Sequence, residues 1–195
     1  VSSSYEQRLE QSNNNSIGNP MDLKGQFLIA RPTVKDPYFK RSVVFVYEHN
    51  PQSVIGLIIN KRSPNNTLLD IIRNKGYDDF VDQPLFVGGP MNQAAVCLLH
   101  TPEFSSSNTL EVDRHFSISS DDLMIYKFVN GDQPDGHRFI IGSAMWYPGQ
   151  LNAELKANHW LVSDLTAHDV FDYDGREMWD RAIEKNAQQT IDKFF

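Results

Sequence analysis

A single cysteine, Cys97, stands in 195 residues, which excludes an internal disulfide and a zinc cluster built on thiolates. Long apolar runs are also missing. None approaches the ~20 residues a membrane helix needs, and mean hydropathy is −0.45. No stretch near the start joins a basic region to an apolar core, so no secretory signal is expected and the cytoplasm is the expected compartment. Basic charge is in deficit: 18 Lys and Arg against 25 Asp and Glu give a net charge of −7 and a pI near 5.3. Direct binding to DNA wants a basic face and is disfavoured.

Familiar catalytic templates are absent too. The chain has no phosphate-binding G-x-x-x-x-G-K-[ST], no G-x-G-x-x-G, no H-E-x-x-H and no G-x-S-x-G. No metal and no cofactor is therefore expected.

What is present reads as one domain over 21–195. Residues 1–20 are polar, rich in Ser and Asn, and poor in groups that could offset ordering entropy. They are expected to be a disordered upstream extension or cloning remnant. The organising stretch is Leu23 to Asn60, with three apolar runs at Phe27 to Ala30, Val43 to Tyr47 and Val54 to Ile59. Short β-branched runs bounded by Pro, Asn and Ser read as strands, the last two forming a hairpin across Asn50-Pro51.

Beyond it, Thr67 caps a helix with Asp70 at capping-box distance and Gly76 at its end. Pro84 to Val87 is a short strand running into Gly88-Gly89-Pro90, where the glycines let a ligand or a strand approach closely. Ala95 to His100 is a buried strand, and a small hairpin turns at Asp113-Arg114. Ser119 or Ser120 caps a helix whose core side carries Leu123, Ile125, Tyr126 and Val129. His137 to Ser143 and Trp160 to Val162 are strands. Pro148 opens a helix, a short one covers Thr166 to Phe171, and an amphipathic one covers Gly175 to Gln188 with Glu177 and Arg181 as an ion pair.

Four blocks in fixed order, F-L-I-A-R-P (27–32), D-P-Y-F-K-R-S-V-V (36–44), E-H-N (48–50) and G-L-I-I-N (56–60), resemble the bacterial AlgH/YqgE family. So does Gly-Gly-Pro (88–90) followed by a strand ending in Leu99-His100. The run Gly142 to Leu151 matches a third family pattern, with Ser143 where tyrosine is common and Met145 where glycine is common. The resemblance covers about Met21 to Ala187. It implies an α+β fold: a mixed, bifurcated β-sheet curled into a pseudo-barrel with helices packed outside. Members of the family are commonly described as candidate transcriptional regulators.

Polar residues at strand ends are the candidate site, since binding residues concentrate where loops leave a rigid scaffold. Arg41 can clamp a carboxylate or phosphate, with the Gly88 and Gly89 amides in the same concavity; an Arg41–Asp36 ion pair that fixes the loop is the plainer alternative. His49 and His100 each close a strand and can converge with Glu48 or Asp36 as a metal or acid–base site, or else bond loop carbonyls. Ser42 and His49 form no nucleophile–base pair, because seven residues of strand span ~23 Å. Asn60 is a turn or cap residue that could orient a ligand. Trp146, beside Gln150 and Glu154, is a possible ligand platform, while Trp160, Trp179 and Cys97 read as core.

Three functions follow. The first is a non-enzymatic regulatory or adaptor protein binding a small anionic ligand or a protein partner, with regulation indirect. The second is a hydrolase or transferase acting on an anionic metabolite at an Arg41, Gly88-Gly89 and histidine pocket. The third is assembly as a homo-oligomer.

Overall fold

The computed structural model of the protein describes residues 21–195; the extension expected at 1–20 lies outside them. Strand β1 (Phe27–Ala30) is apolar at every position and buried throughout, as a strand with neighbours on both sides must be. Those neighbours are β2 (Val43–His49) and the late strand β10 (Trp160–Ser163), both antiparallel. β2 turns back into β3 (Val54–Ile58) across Asn50-Pro51 as expected, with a bulge between Val46 and Glu48. The loop is closed by Asn50, whose side-chain oxygen accepts from the amides of Gln52 and Ser53, both at 2.9 Å.

The sheet forks along β9 (His137–Trp146), a strand of ten residues. Its far end, Ala144 to Trp146, pairs with β3. Its near end, Phe139 to Ile141, pairs on that flank with β5 (Pro84–Val87), the one parallel pairing among the described residues. β5 also carries β4 (Arg62–Thr67). Along its other edge β9 meets β6 (Met91–His100), and the sheet continues to β8 (Ser117–Ser119) and β7 (Leu110–Glu111). The order β10-β1-β2-β3-β9-β6-β8-β7, with β4 and β5 branching off, is the mixed, bifurcated and curled sheet that the resemblance implies. β4 escapes a sequence reading because Arg62-Ser63-Pro64-Asn65-Asn66-Thr67 has no apolar alternation, and none of its six residues is buried.

Helix α1 (Leu68–Ile72) starts with the expected capping box, the Thr67 amide bonding Asp70 at 2.9 Å, and a 3₁₀ turn then ends at Gly76 with φ +80°. Helix α2 (Asp122–Val129) departs from expectation twice. Its cap is Asp121, which takes the Met124 amide at 2.9 Å, because Ser119 is bonded inside β8. Its core face is Met124, Ile125 and Phe128, while Leu123 and Tyr126 face solvent, since the cap lies one or two residues later than the serines suggest. Helix α3 (Pro148–Lys156) has Pro148 in its first turn and buries Leu151. Helix α4 (Ala167–Phe171) begins at a Thr166–Asp169 capping box. Helix α5 (Gly175–Phe194) is longer than expected and buries Met178, Trp179 and Ala182 on the sheet; the Trp179 indole donates to the Ala30 carbonyl at 2.7 Å. Arg181 lies over the Tyr173 ring, 3.8 Å from its centre, rather than serving the expected pair with Glu177.

The Gly-Gly turn after β5 exists to let two backbones touch. A Cβ on Gly88 would sit 2.3 Å from the Gly142 carbonyl oxygen, and one on Gly89 would sit 2.3 Å from that of Ser143. Gly89 also has φ +150°, where side chains are strained. Gly89→Ala is therefore expected to lower the unfolding free energy by ~1–3 kcal/mol, the cost of overpacking a tight seam. Gly149→Ala, in α3 with nothing within 4 Å of the new methyl, should gain ~0.5–1 kcal/mol from helix propensity. Urea unfolding of the two variants side by side checks both.

Candidate functional site

The residues singled out from the sequence fall into separate structural jobs. Asn60 is 1% exposed and makes every bond it can. Its Oδ1 accepts from the Val43 amide at 2.9 Å, and its Nδ2 donates to the carbonyls of Arg41 and Gly175, both at 2.9 Å. Its own carbonyl takes the Gly175 amide at 2.8 Å. Asn60 thus ties the ends of β2 and β3 to the start of α5. Arg41 supplies that carbonyl at φ +54°, with its side chain in solvent. Asp36 does not bond it; the Asp36 carboxylate accepts from the Tyr38 and Phe39 amides at 2.8 and 3.1 Å and so makes the turn itself. The Gly88 amide is spent on the Ile141 carbonyl at 2.8 Å. No Arg41–glycine anion nest is assembled.

His49 and His100 do not converge. Through the strand register, His49 lies level with Trp146 on β9 and His100 level with His137, nine residues or ~30 Å apart. His49 is half-buried and its Nδ1 accepts from the Leu23 amide at 2.9 Å. His100 is fully buried. Its Nδ1 lies 2.8 Å from the Thr101 carbonyl, which can only accept, so Nδ1 carries the hydrogen and Nε2 accepts from the Ser119 hydroxyl at 2.8 Å. Ser119 and His100 have the atom order of a nucleophile and its base, yet both are 0% exposed and no substrate reaches them. Burial holds the His100 pKa below its ordinary 6.5.

Trp146 is core rather than platform. It packs with Phe39 and Trp160, ring centres 5.4 to 5.9 Å apart. Both indoles donate to one carboxylate oxygen of Glu154, at 3.2 and 2.8 Å, and exposed Gln150 reaches the other at 3.3 Å. A single acidic residue on α3 thereby satisfies the two buried N–H groups.

A buried charge beside open space lies on the other side of the fork in the sheet. Arg138, second residue of β9, is 6% exposed. Its guanidinium donates to the Ile59 carbonyl at 2.6 Å and the Tyr173 carbonyl at 2.9 Å. It stacks on Phe86 at 4.3 Å, and Arg62 approaches the same ring at 5.8 Å. Arg62 in turn reaches Asp174 at 2.6 Å. These groups floor and flank a cleft of about 290 Å³ that also takes in His137, Tyr173 and Glu177. Burial pushes the Arg138 pKa down to about 10, with Asp174 working against the shift and Arg62 adding to it. Both ring nitrogens of His137 meet oxygen, the Pro134 carbonyl and Gln83 Oε1, each at 3.2 Å.

Chemically, alongside the carboxylates of Asp172, Asp174 and Glu177, the cleft offers a fixed guanidinium with unused N–H groups, a second and more exposed one, an imidazole and aromatic walls. That set suits bidentate capture of a carboxylate or phosphate. Among the described residues no Ser, Thr, Cys or Lys lines it, while His137, Asp172, Tyr173, Asp174 and Glu177 do. Sequence reasoning passed over Arg138. The signal was a charged residue directly before the apolar run Phe139-Ile140-Ile141, where a strand interior has no use for a cation unless it is paired.

Two outcomes follow. Arg138→Met strands the Ile59 and Tyr173 carbonyls and is expected to cost ~2–4 kcal/mol, whereas Arg62→Ala removes a solvent-exposed pair and should cost under ~1 kcal/mol; chemical unfolding separates them. The unfolded chain protonates His100 near 6.5 and the folded chain resists it, so stability falls as pH drops through that value. The loss approaches ~1.4 kcal/mol per pH unit below it. His100→Gln, which keeps a donor for Thr101 and an acceptor for Ser119, should flatten the stability curve between about pH 7 and 5, and an unchanged slope would assign the loss elsewhere.

Comparison with known proteins places this geometry. An AlgH-like family model matches residues 27–190. A UPF0301 protein from Erwinia tasmaniensis is 32% identical over 171 residues, 84% of this chain and 91% of the relative. A UPF0301 protein from Vibrio cholerae is 29% identical, covering 85% and 92%. The solution structure of the AlgH protein from Pseudomonas aeruginosa superposes with a TM-score of 0.70 at 30% identity, over 84% of this chain and 88% of that one. A crystal structure from Corynebacterium diphtheriae shares the fold at TM-score 0.66 and 24% identity, over 85% and 87%. With its motifs, its forked sheet and these relatives in agreement, the chain belongs to the AlgH-like family.

Proposed function

We propose that the protein is a non-catalytic regulatory or adaptor protein of the cytoplasm whose cleft at Arg62, His137 and Arg138 holds a small anionic ligand, a carboxylate or a phosphate. The observation that carries this is Arg138. A buried guanidinium normally meets a carboxylate; this one is held by two neutral carbonyls, beside a second arginine on the same aromatic ring. Asp174 acts on Arg138 at a distance while bonded to Arg62; an incoming anion would give Arg138 a direct partner, with Arg62 turning from Asp174 to close over it. No Ser, Thr, Cys or Lys is among the described residues lining the cleft, which favours binding over group transfer through those side chains. The enzymatic reading draws on Arg41, the Gly88-Gly89 amides, His49 and His100, which serve four different parts of the scaffold. The net charge of −7 favours regulation through a protein partner over contact with DNA.

A thermal-shift panel of inorganic phosphate, sugar phosphates, nucleotides and di- and tricarboxylates, run on the whole chain, tests the proposal. A ligand at 100 times its dissociation constant adds ~2.7 kcal/mol, which for a domain of this size raises the melting temperature by roughly 5–10 °C. The expected result is such a rise for at least one anion, reduced by at least half in Arg62→Ala. A flat panel, or a rise that Arg62→Ala keeps in full, overturns it.

A further inference from the structure

The inside of the curled sheet is only partly filled. Helix α5 packs into it at one end, and the core it completes runs on through Leu57, Ile118, Tyr47 and Cys97. Beyond these residues the hollow opens to solvent as a second cleft of about 220 Å³. It exists because β6 leaves its neighbour. Met91 pairs with Ser143 and Val96 with Ile141, so four residues of β6, Asn92 to Ala95, stand opposite Gly142 alone. Asn92 takes φ +50° to make the departure and Gly142 φ +79° to accept it. Bulges of this kind commonly re-aim a strand beside a binding site.

The lining differs sharply from that of the arginine cleft. Leu57, Val96, Leu110 and Ile118 form its walls, and no charged residue lines it. Its polar groups are neutral: the amides of Asn92 and Asn108, the hydroxyls of Ser120 and Ser143, the Tyr47 phenol and the Cys97 thiol. Burial pushes the Tyr47 phenol and the Cys97 thiol each up to about 12, so both keep their hydrogens at neutral pH. A cavity of about 150 Å³ walled by aliphatic side chains takes benzene, and this one is larger and carries hydrogen-bonding groups at its margin.

We propose that the hollow opened by the β6 bulge is a binding site for a small uncharged aromatic molecule of one or two fused rings carrying a single hydrogen-bonding group. Its ring lies against Leu57, Val96 and Ile118, and its polar atom meets the Tyr47 phenol or the Ser143 hydroxyl. An ionised group has no counter-charge here, so carboxylated analogues are rejected. The site shares no residue with the arginine cleft, and its occupancy does not depend on that reading.

Indole is the probe, titrated into the isotope-labelled whole chain and followed by amide chemical shifts. The expected result is saturable shifts confined to Val96, Cys97, Gly142, Ser143 and their neighbours. Binding should be at least tenfold weaker for indole-3-carboxylate. Ala95→Phe, placed at the exposed mouth, should weaken indole at least tenfold with the rest of the spectrum in place. The wild-type titrations with indole and with its carboxylate stand whatever becomes of that variant. Absent or scattered shifts with millimolar indole, or equal affinity for the carboxylate, each overturn the proposal.

Discussion

Backbone hydrogen bonding along β9 is the constraint on which the architecture depends. Each of its residues has one donor and one acceptor to place, and a buried strand leaves none for water. One edge is taken by β6. The other is divided, with β3 at the Ala144 to Trp146 end and β5 at the Phe139 to Ile141 end. Two strands cannot fill one edge unless their backbones cross between them at close quarters. The crossing is where Gly88 and Gly89 lie against Gly142 and Ser143, at distances no side chain tolerates. The fork is the consequence of that shared edge.

Polar residues then lock the fork in place. The end of β3 is held by two of them. Arg138 takes the Ile59 carbonyl, and Asn60 brackets β2, β3 and the first residue of α5. Arg138 also takes the Tyr173 carbonyl just ahead of α5. The arginine cleft is therefore built from the same groups that position the last helix. An anion drawing on Arg138 would act on the connection between the sheet and α5, a direct mechanical route from ligand to surface.

The two clefts divide their chemistry by burial and charge. One places a guanidinium deep against aromatic rings, with ion pairs at its mouth. The other is walled by aliphatic groups, with its phenol and thiol kept neutral by the desolvation that surrounds them. They share no lining residue, and the second is opened by the β6 bulge on the other edge of β9.

Much of the scaffold is legible in the residues themselves. Val43 to Tyr47 and Val54 to Ile59 announce a hairpin, Thr67 with Asp70 a capped helix, and Pro148 a helix start, because strand periodicity, caps and proline act over a few residues. Where the signal is polar or offset it fades: β4 has no apolar alternation, and Asp121 rather than a serine caps α2 because β8 claims Ser119. The site was less legible still. Arg41, Asn60, His49, His100 and Trp146 stood out by residue type, yet each spends its bonds on the scaffold. Arg62 and Arg138 were missed because they lie 76 positions apart in sequence and meet only when β5 and β9 run parallel under Phe86. Local chemistry wrote the elements and the family into the chain. Which polar groups face open space was decided by long-range strand pairing, since burial and proximity belong to the folded whole and to no stretch of it.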